Sequence, residues 1–117
     1  MPHILFVLFA LLALIALARA QSVVFTYDQW ERLSAGVKEI YVSGAIDAVF
    51  TIAVPAQANT SKFYSDCIVK QGIKAHDIVE EMKAAVRLRP ELYPKPATGV
   101  LLAALVKLCG LPNPELK

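Results

Sequence analysis

The sequence predicts an all-α protein: a small helical bundle stapled by one disulfide, following a cleaved N-terminal signal peptide. Three observations predict it. Beyond residue 20, apolar side chains recur at three- and four-residue steps, the spacing that lines one face of a helix. The stretch RPELYPKPA, Arg89 to Ala97, puts three prolines into this otherwise helical pattern. Two cysteines, Cys67 and Cys109, stand with no other thiol to pair with.

The N-terminus is an unbroken apolar run from Ile4 to Leu17, followed by Ala18-Arg19-Ala20. That small-x-small pattern is what a signal peptidase cuts, so residues 1–20 are expected to be a signal peptide and 21–117 one small domain. The run is shorter than the ~20 residues that span a bilayer, and no second long apolar stretch follows. An uncleaved anchor is the alternative; the main expectation is an exported protein with no membrane association after cleavage. Of 12 basic and 10 acidic residues, Arg19 belongs to the leader, so the exported part is close to neutral. Its basic residues are scattered, with no cluster that could track a phosphate backbone. Nucleic acid is therefore not an expected partner.

In an oxidising compartment an isolated cysteine pair is most simply a disulfide. Closing Cys67 to Cys109 stabilises by about 4 kcal/mol in the chain-entropy model, a large share of a small domain's total stability.

The first element expected is a long helix from about Asp28 to about Val54, with Trp30, Leu33, Val37, Ile40, Tyr41, Gly44 and Ala48 as its core stripe. Thr26 or Asp28 would cap its start, because a side-chain oxygen there accepts from unsatisfied first-turn amides. Gly44 and Ala48 are small and one turn apart, which would let another helix approach closely; a glycine inside a helix costs up to ~1 kcal/mol. A strand over 49–54 is the alternative. Pro55 should end this element, and PAQANTSKFYSD reads as a surface loop. Its Asn59-Thr60-Ser61 is formally a glycosylation sequon, taken here as an ordinary polar turn.

A second helix follows from about Ala75 to Leu88, with Ile78, Val79, Met82 and Val86 inward. Asp77 and Glu80 near its start and Lys83 and Arg87 later suit the helix dipole. Pro90 and Pro94 then stop it, since neither offers a backbone amide, while Pro96 suits the first turn of the next helix. The prolines thus make a stiff corner. The last helix, about Pro96 to Leu108, is apolar nearly all round, so it is central to the core or half of an interface. Gly110, Pro112 and Pro114 terminate it.

No residue pattern points to catalysis, a cofactor or a metal. His76 is the sole histidine of the exported part, and no recognisable ligand spacing joins it to the cysteines. A Cys67/His76 nucleophilic pair would need a free thiol. Glu80 and Glu81 are sequence neighbours and point different ways on a helix. Asp47, inside an apolar helical stretch, reads as a structural polar group bonded to an adjacent element, or as a partner contact. The protein is expected not to be an enzyme.

The order Tyr41-x-x-Gly44-x-x-Asp47-Ala48, Cys67-Ile68, Gly72-Ile73, an amphipathic helix, Arg89-Pro90-Glu91-Leu92, Pro96-Ala97 and a closing Cys109 resembles the Rap/Tai family of small exported helical proteins. The resemblance covers Tyr41 to Cys109 and departs from the family pattern at Lys38-Glu39, Val69 and Lys74. It implies a periplasmic immunity protein that binds and inhibits a peptidoglycan amidase delivered by type VI secretion, often as a homodimer, with loops and helix ends occluding the enzyme's cleft. Transferred to this chain, that role falls to Arg89, Glu91, Tyr93 and Lys95, on a corner whose prolines reduce the entropy lost on binding; tyrosine and arginine are frequent interface anchors. Phe63 and Tyr64, beside Lys62 and Asp66, are a second candidate patch, although packing beneath the disulfide is the preferred use of the two rings. The competing reading is an orphan periplasmic helical protein with a stress-chaperone or envelope-structural role. With one histidine and no dense acidic cluster, a protonation trigger for such a chaperone is poorly supplied.

Overall fold

The computed structural model describes residues 24–51 and 57–112. The expected signal peptide, the end of the first helix with Pro55, and Pro114 lie outside them. Five α-helices run in order among the described residues: α1 Tyr27–Glu31, α2 Ala35–Thr51, α3 Ala58–Gln71, α4 Ala75–Leu88 and α5 Ala97–Cys109, with a single 3-10 turn at Pro90–Leu92 between the last two. The protein is all-α, and a Cys67–Cys109 disulfide joins α3 to the end of α5 across a Cα–Cα distance of 6.0 Å.

Of the two predicted cap candidates, Thr26 is the one that caps α1, and Asp28 lies inside its first turn. Its Oγ1 accepts the Gln29 amide at 3.3 Å while Gln29 Oε1 accepts the Thr26 amide at 3.0 Å, so two otherwise orphaned donors satisfy each other's residues. The single long first helix, however, is two helices. The chain turns at Arg32–Ser34, where the Leu33 amide donates to the Trp30 carbonyl, and α2 starts anew with the Lys38 amide donating to Ser34. Ser34 and Gly36 both disfavour a helix interior, and the break lets the two helices aim different faces at the core.

That reorientation overturns the predicted stripe. Trp30 is completely buried, with the Lys38 ammonium 5.4 Å from its ring centroid, and Leu33 and Tyr41 are partly buried. Yet Val37 is 45% and Ile40 71% exposed, and Gly44 and Ala48 face outward. The inward face of α2 is carried by Val42, fully buried, with Ala45, Ile46 and Phe50 beside it. Nothing lies within 4 Å of where a side chain on Gly44 would begin, so no helix among the described residues approaches there. Asp47 is likewise exposed and makes no side-chain hydrogen bond or ion pair among the described residues, so it is not a structural polar group bonded to a neighbour.

The segment read as a surface loop is most of α3. Its polar composition misleads, because between Pro55 and Gly72 no helix breaker occurs. Ser61, Tyr64 and Ile68 fall on one side at helical spacing, the first two buried, and Lys62 pairs with Asp66 one turn away at 2.6 Å. Gly72 ends the helix in the left-handed region, φ 61°, where the Ile73 amide reaches back to the Ile68 carbonyl at 3.0 Å, a closure that favours glycine.

Helix α4 has the predicted bounds, and Ile78, Val79 and Met82 are buried with Val86 partly so. The Asp77 carboxylate accepts the Lys74 amide at 2.8 Å to hold its first turn. Helix α5 is the spine of the core: Ala97, Val100, Leu101, Ala104 and Leu105 are buried, and it packs most extensively against α4. Its outer side keeps Leu102 and Val106 partly in solvent.

Candidate functional site

The corner between α4 and α5 is built by what its prolines cannot do. Pro90, Pro94 and Pro96 donate no hydrogen bond, so the segment is anchored mainly through its carbonyls. The Tyr93 carbonyl accepts the Asp28 amide at 3.2 Å and the Lys95 carbonyl accepts the Tyr27 amide at 2.9 Å, while the Ala97 amide donates to Phe25 at 2.7 Å. Thr26 and Pro96 thereby face each other as an isolated antiparallel bridge. The amides of Tyr27 and Asp28 are the first two of α1 and have no partner inside that helix. The corner supplies their acceptors, and so α1 and the corner form one backbone unit.

Side chains strengthen that unit. The Tyr93 ring meets the Tyr27 ring edge-on, centroids 6.0 Å apart, and Tyr27 in turn lies 5.3 Å from Trp30. The Asp28 carboxylate and then burial hold the Tyr93 hydroxyl above the usual phenol range. Arg32 pairs with the same carboxylate. Tyr27 is buried, and its hydroxyl is pushed up to about 12, first by burial and then by Glu31, whose carboxylate accepts from it at 3.4 Å. The 3-10 turn closes the remaining backbone, with the Tyr93 amide donating to Pro90 and the Lys95 amide to Leu92.

Arg89, Glu91 and Lys95 are all exposed and form no ion pair among the described residues. Tyr93 keeps 43% of its surface in solvent despite its contacts. The four predicted partner-binding residues therefore sit together on one short, backbone-pinned segment.

The motif residues of α2 divide. The Tyr41 ring lies 5.7 Å from Phe25, whose carbonyl holds the Ala97 amide, so Tyr41 buttresses the chain that carries the corner; burial raises its hydroxyl. Gly44, Asp47 and Ala48 continue along the outward side of α2, away from the core. Beside Tyr41 an open apolar groove is lined by Phe25, Leu33, Val37 and Ile40. Periodicity missed it by placing Leu33, Val37 and Ile40 on the core stripe. Helix α2 is apolar on nearly every side, so periodicity alone does not choose its buried face.

The second candidate patch separates as well. Tyr64 is buried, its hydroxyl raised by burial and donating to the Gly110 carbonyl at 3.3 Å. Phe63, edge-on to it at 5.1 Å, lines a shallow groove beside Cys67 and Cys109. Both rings pack next to the disulfide.

Among the described residues no three His, Cys, Asp or Glu side chains gather where they could hold a metal ion, and none of the helices is long and apolar enough to cross a membrane. His76 stands at the surface with Nδ1 3.2 Å from Glu39 on α2. No family model, curated protein or solved structure matches the chain.

Proposed function

We propose that this chain is a binding protein of the immunity type, exported to the periplasm, that inhibits a secreted peptidoglycan amidase by presenting the corner 89–97 to the enzyme. The observation that carries the reading is the corner's construction. Arg89, Glu91, Tyr93 and Lys95 are exposed on a segment whose backbone is tied at three points to Phe25, Tyr27 and Asp28, at and just before the start of α1. A binding surface fixed before encounter loses less conformational entropy on association. Charges of both signs flanking a half-exposed tyrosine make the polar rim and aromatic anchor that compact protein interfaces use. The choice of a cell-wall amidase as partner rests on the family resemblance of Tyr41 to Cys109.

Affinity capture with the oxidised protein, from secreted and periplasmic extract, should return one cell-wall hydrolase in stoichiometric amount, whose cleavage of peptidoglycan the protein then inhibits. Recovery of the bait alone, or of a hydrolase whose activity is unaffected, would sink the proposal.

A further inference from the structure

Helix α3 is attached to the rest of the molecule differently from its neighbours. Helices α4 and α5 hold each other through Ile78, Val79 and Met82 on one side and Val100, Leu101, Ala104 and Leu105 on the other, a contact that involves no disulfide. Helix α3 buries only Ser61 and Tyr64 among its 14 residues. Its specific links to α5 are two, and they fall on adjacent residues: the disulfide to Cys109 and the Tyr64 hydroxyl bond to the Gly110 carbonyl. Both cysteines are partly exposed, in an open groove that Phe63, Asp66, Lys70 and Gln71 also line, so a thiol reagent has access to the bond.

We propose that Cys67–Cys109 is a redox latch: a dithiol reductant opens it and releases α3, while α1, α4, α5 and the corner between them stay packed. The step is a thiol–disulfide exchange. A thiolate of the reductant attacks Sγ of Cys109, the Sγ–Sγ bond breaks, and Cys67 departs as a thiolate before taking up a proton. The reductant's second thiol then displaces Cys109 from the mixed disulfide, so two electrons pass to the protein and the reductant leaves as its own disulfide. Cys109 is the poorer leaving group because it ends α5, where the helix dipole disfavours an anion.

With the bond closed, α3 cannot separate from the last turn of α5. With it open, one phenol ring, one serine and the edges of Phe63 and Ile68 hold the helix, and the parts of α2 and α5 against which it packs become available. The corner stands at the opposite end of α5, 13 residues away from the latch, which is ~20 Å of helix. Opening therefore leaves the corner in place, and the latch does not depend on the amidase reading.

Hydrogen exchange read by mass spectrometry, on the full oxidised protein and on the same protein in dithiothreitol, tests this. Exchange in 58–71 should accelerate about tenfold or more on reduction while 78–88 and 97–109 keep their protection, and reoxidation should restore the starting pattern. The Cys67→Ser/Cys109→Ser variant should show the reduced pattern without any reagent. Unchanged protection of 58–71 would mean that the bond holds nothing that packing does not, and joint loss across all helices, or a variant that does not fold, would make it a staple of the whole fold; either result overturns the latch.

Discussion

Tyr93 lies edge-on against Tyr27, with ring centroids 6.0 Å apart, and its backbone carbonyl accepts the amide of the next residue, Asp28. The one aromatic side chain of the exposed corner is therefore also part of the fold. Replacing it conflates binding with stability: Tyr93→Ala should lose about 1 kcal/mol from the ring contact alone. Arg89→Ala and Lys95→Ala touch no internal partner and should leave the melting temperature within error. Inhibition assays on the pair of charge variants, set beside their thermal melts, separate the two effects. Undiminished inhibition by both would remove the corner's charges from the interface.

The raised phenol of Tyr27 has a defined consequence for alkaline stability. Its folded-state value of about 12 lies above the ordinary 10, so the folded state keeps a proton that the unfolded state releases. The associated stability is complete below pH 10 and is lost as pH rises from 10 toward 12. Denaturant melts at pH 9 and pH 11 should show a steeper loss for the native protein than for Tyr27→Phe, which cannot ionise. Equal losses would assign the alkaline sensitivity to other groups.

The inversion of the α2 face makes a pairwise prediction. Val42→Ala removes two methyl groups from a completely buried site and should cost about 2 kcal/mol. Ile40→Ala trims a side chain that is 71% exposed and should change stability by less than about 0.5 kcal/mol. Urea unfolding of both variants decides it, and a larger loss at Ile40 would restore the stripe that periodicity suggested.

Two positions at the ends of α3 and α5 should respond through different causes. Gly72→Ala places a side chain in a left-handed backbone with open space around it, so the cost is conformational, about 1–2 kcal/mol. Tyr64→Phe leaves the ring but strands the Gly110 carbonyl without its donor, worth about 1 kcal/mol. Both losses are read from equilibrium unfolding of the oxidised protein, and a neutral Gly72→Ala would show that the turn relaxes.

What was legible in the sequence came from strong local signals. Helix α4 carries polar residues between its apolar ones, so its period selects a single buried face, and Ile78, Val79 and Met82 are where that period puts them. Thr26 is one of two cap candidates in the sequence, and the structure selects it, with Gln29 completing the capping pair. The corner is equally local, since three prolines forbid continuation of a helix whatever surrounds them. Helix α3 was obscured by composition: Asn59, Thr60 and Ser61 resemble a turn, and only the packing of Ser61 and Tyr64 shows the helix they belong to.

By itself, then, the sequence determined the all-α class, the pairing of the two available cysteines, the bounds of α4 and a stiff proline corner at Arg89 to Ala97, because each rests on covalent constraint or on contacts within a few residues. Tertiary structure decided the break at Arg32–Ser34, the burial of Val42 in place of Ile40, and the tie between the corner and the first amides of α1. Those features join residues far apart in the chain, and a helix apolar on nearly every side turns whichever face its neighbours cover.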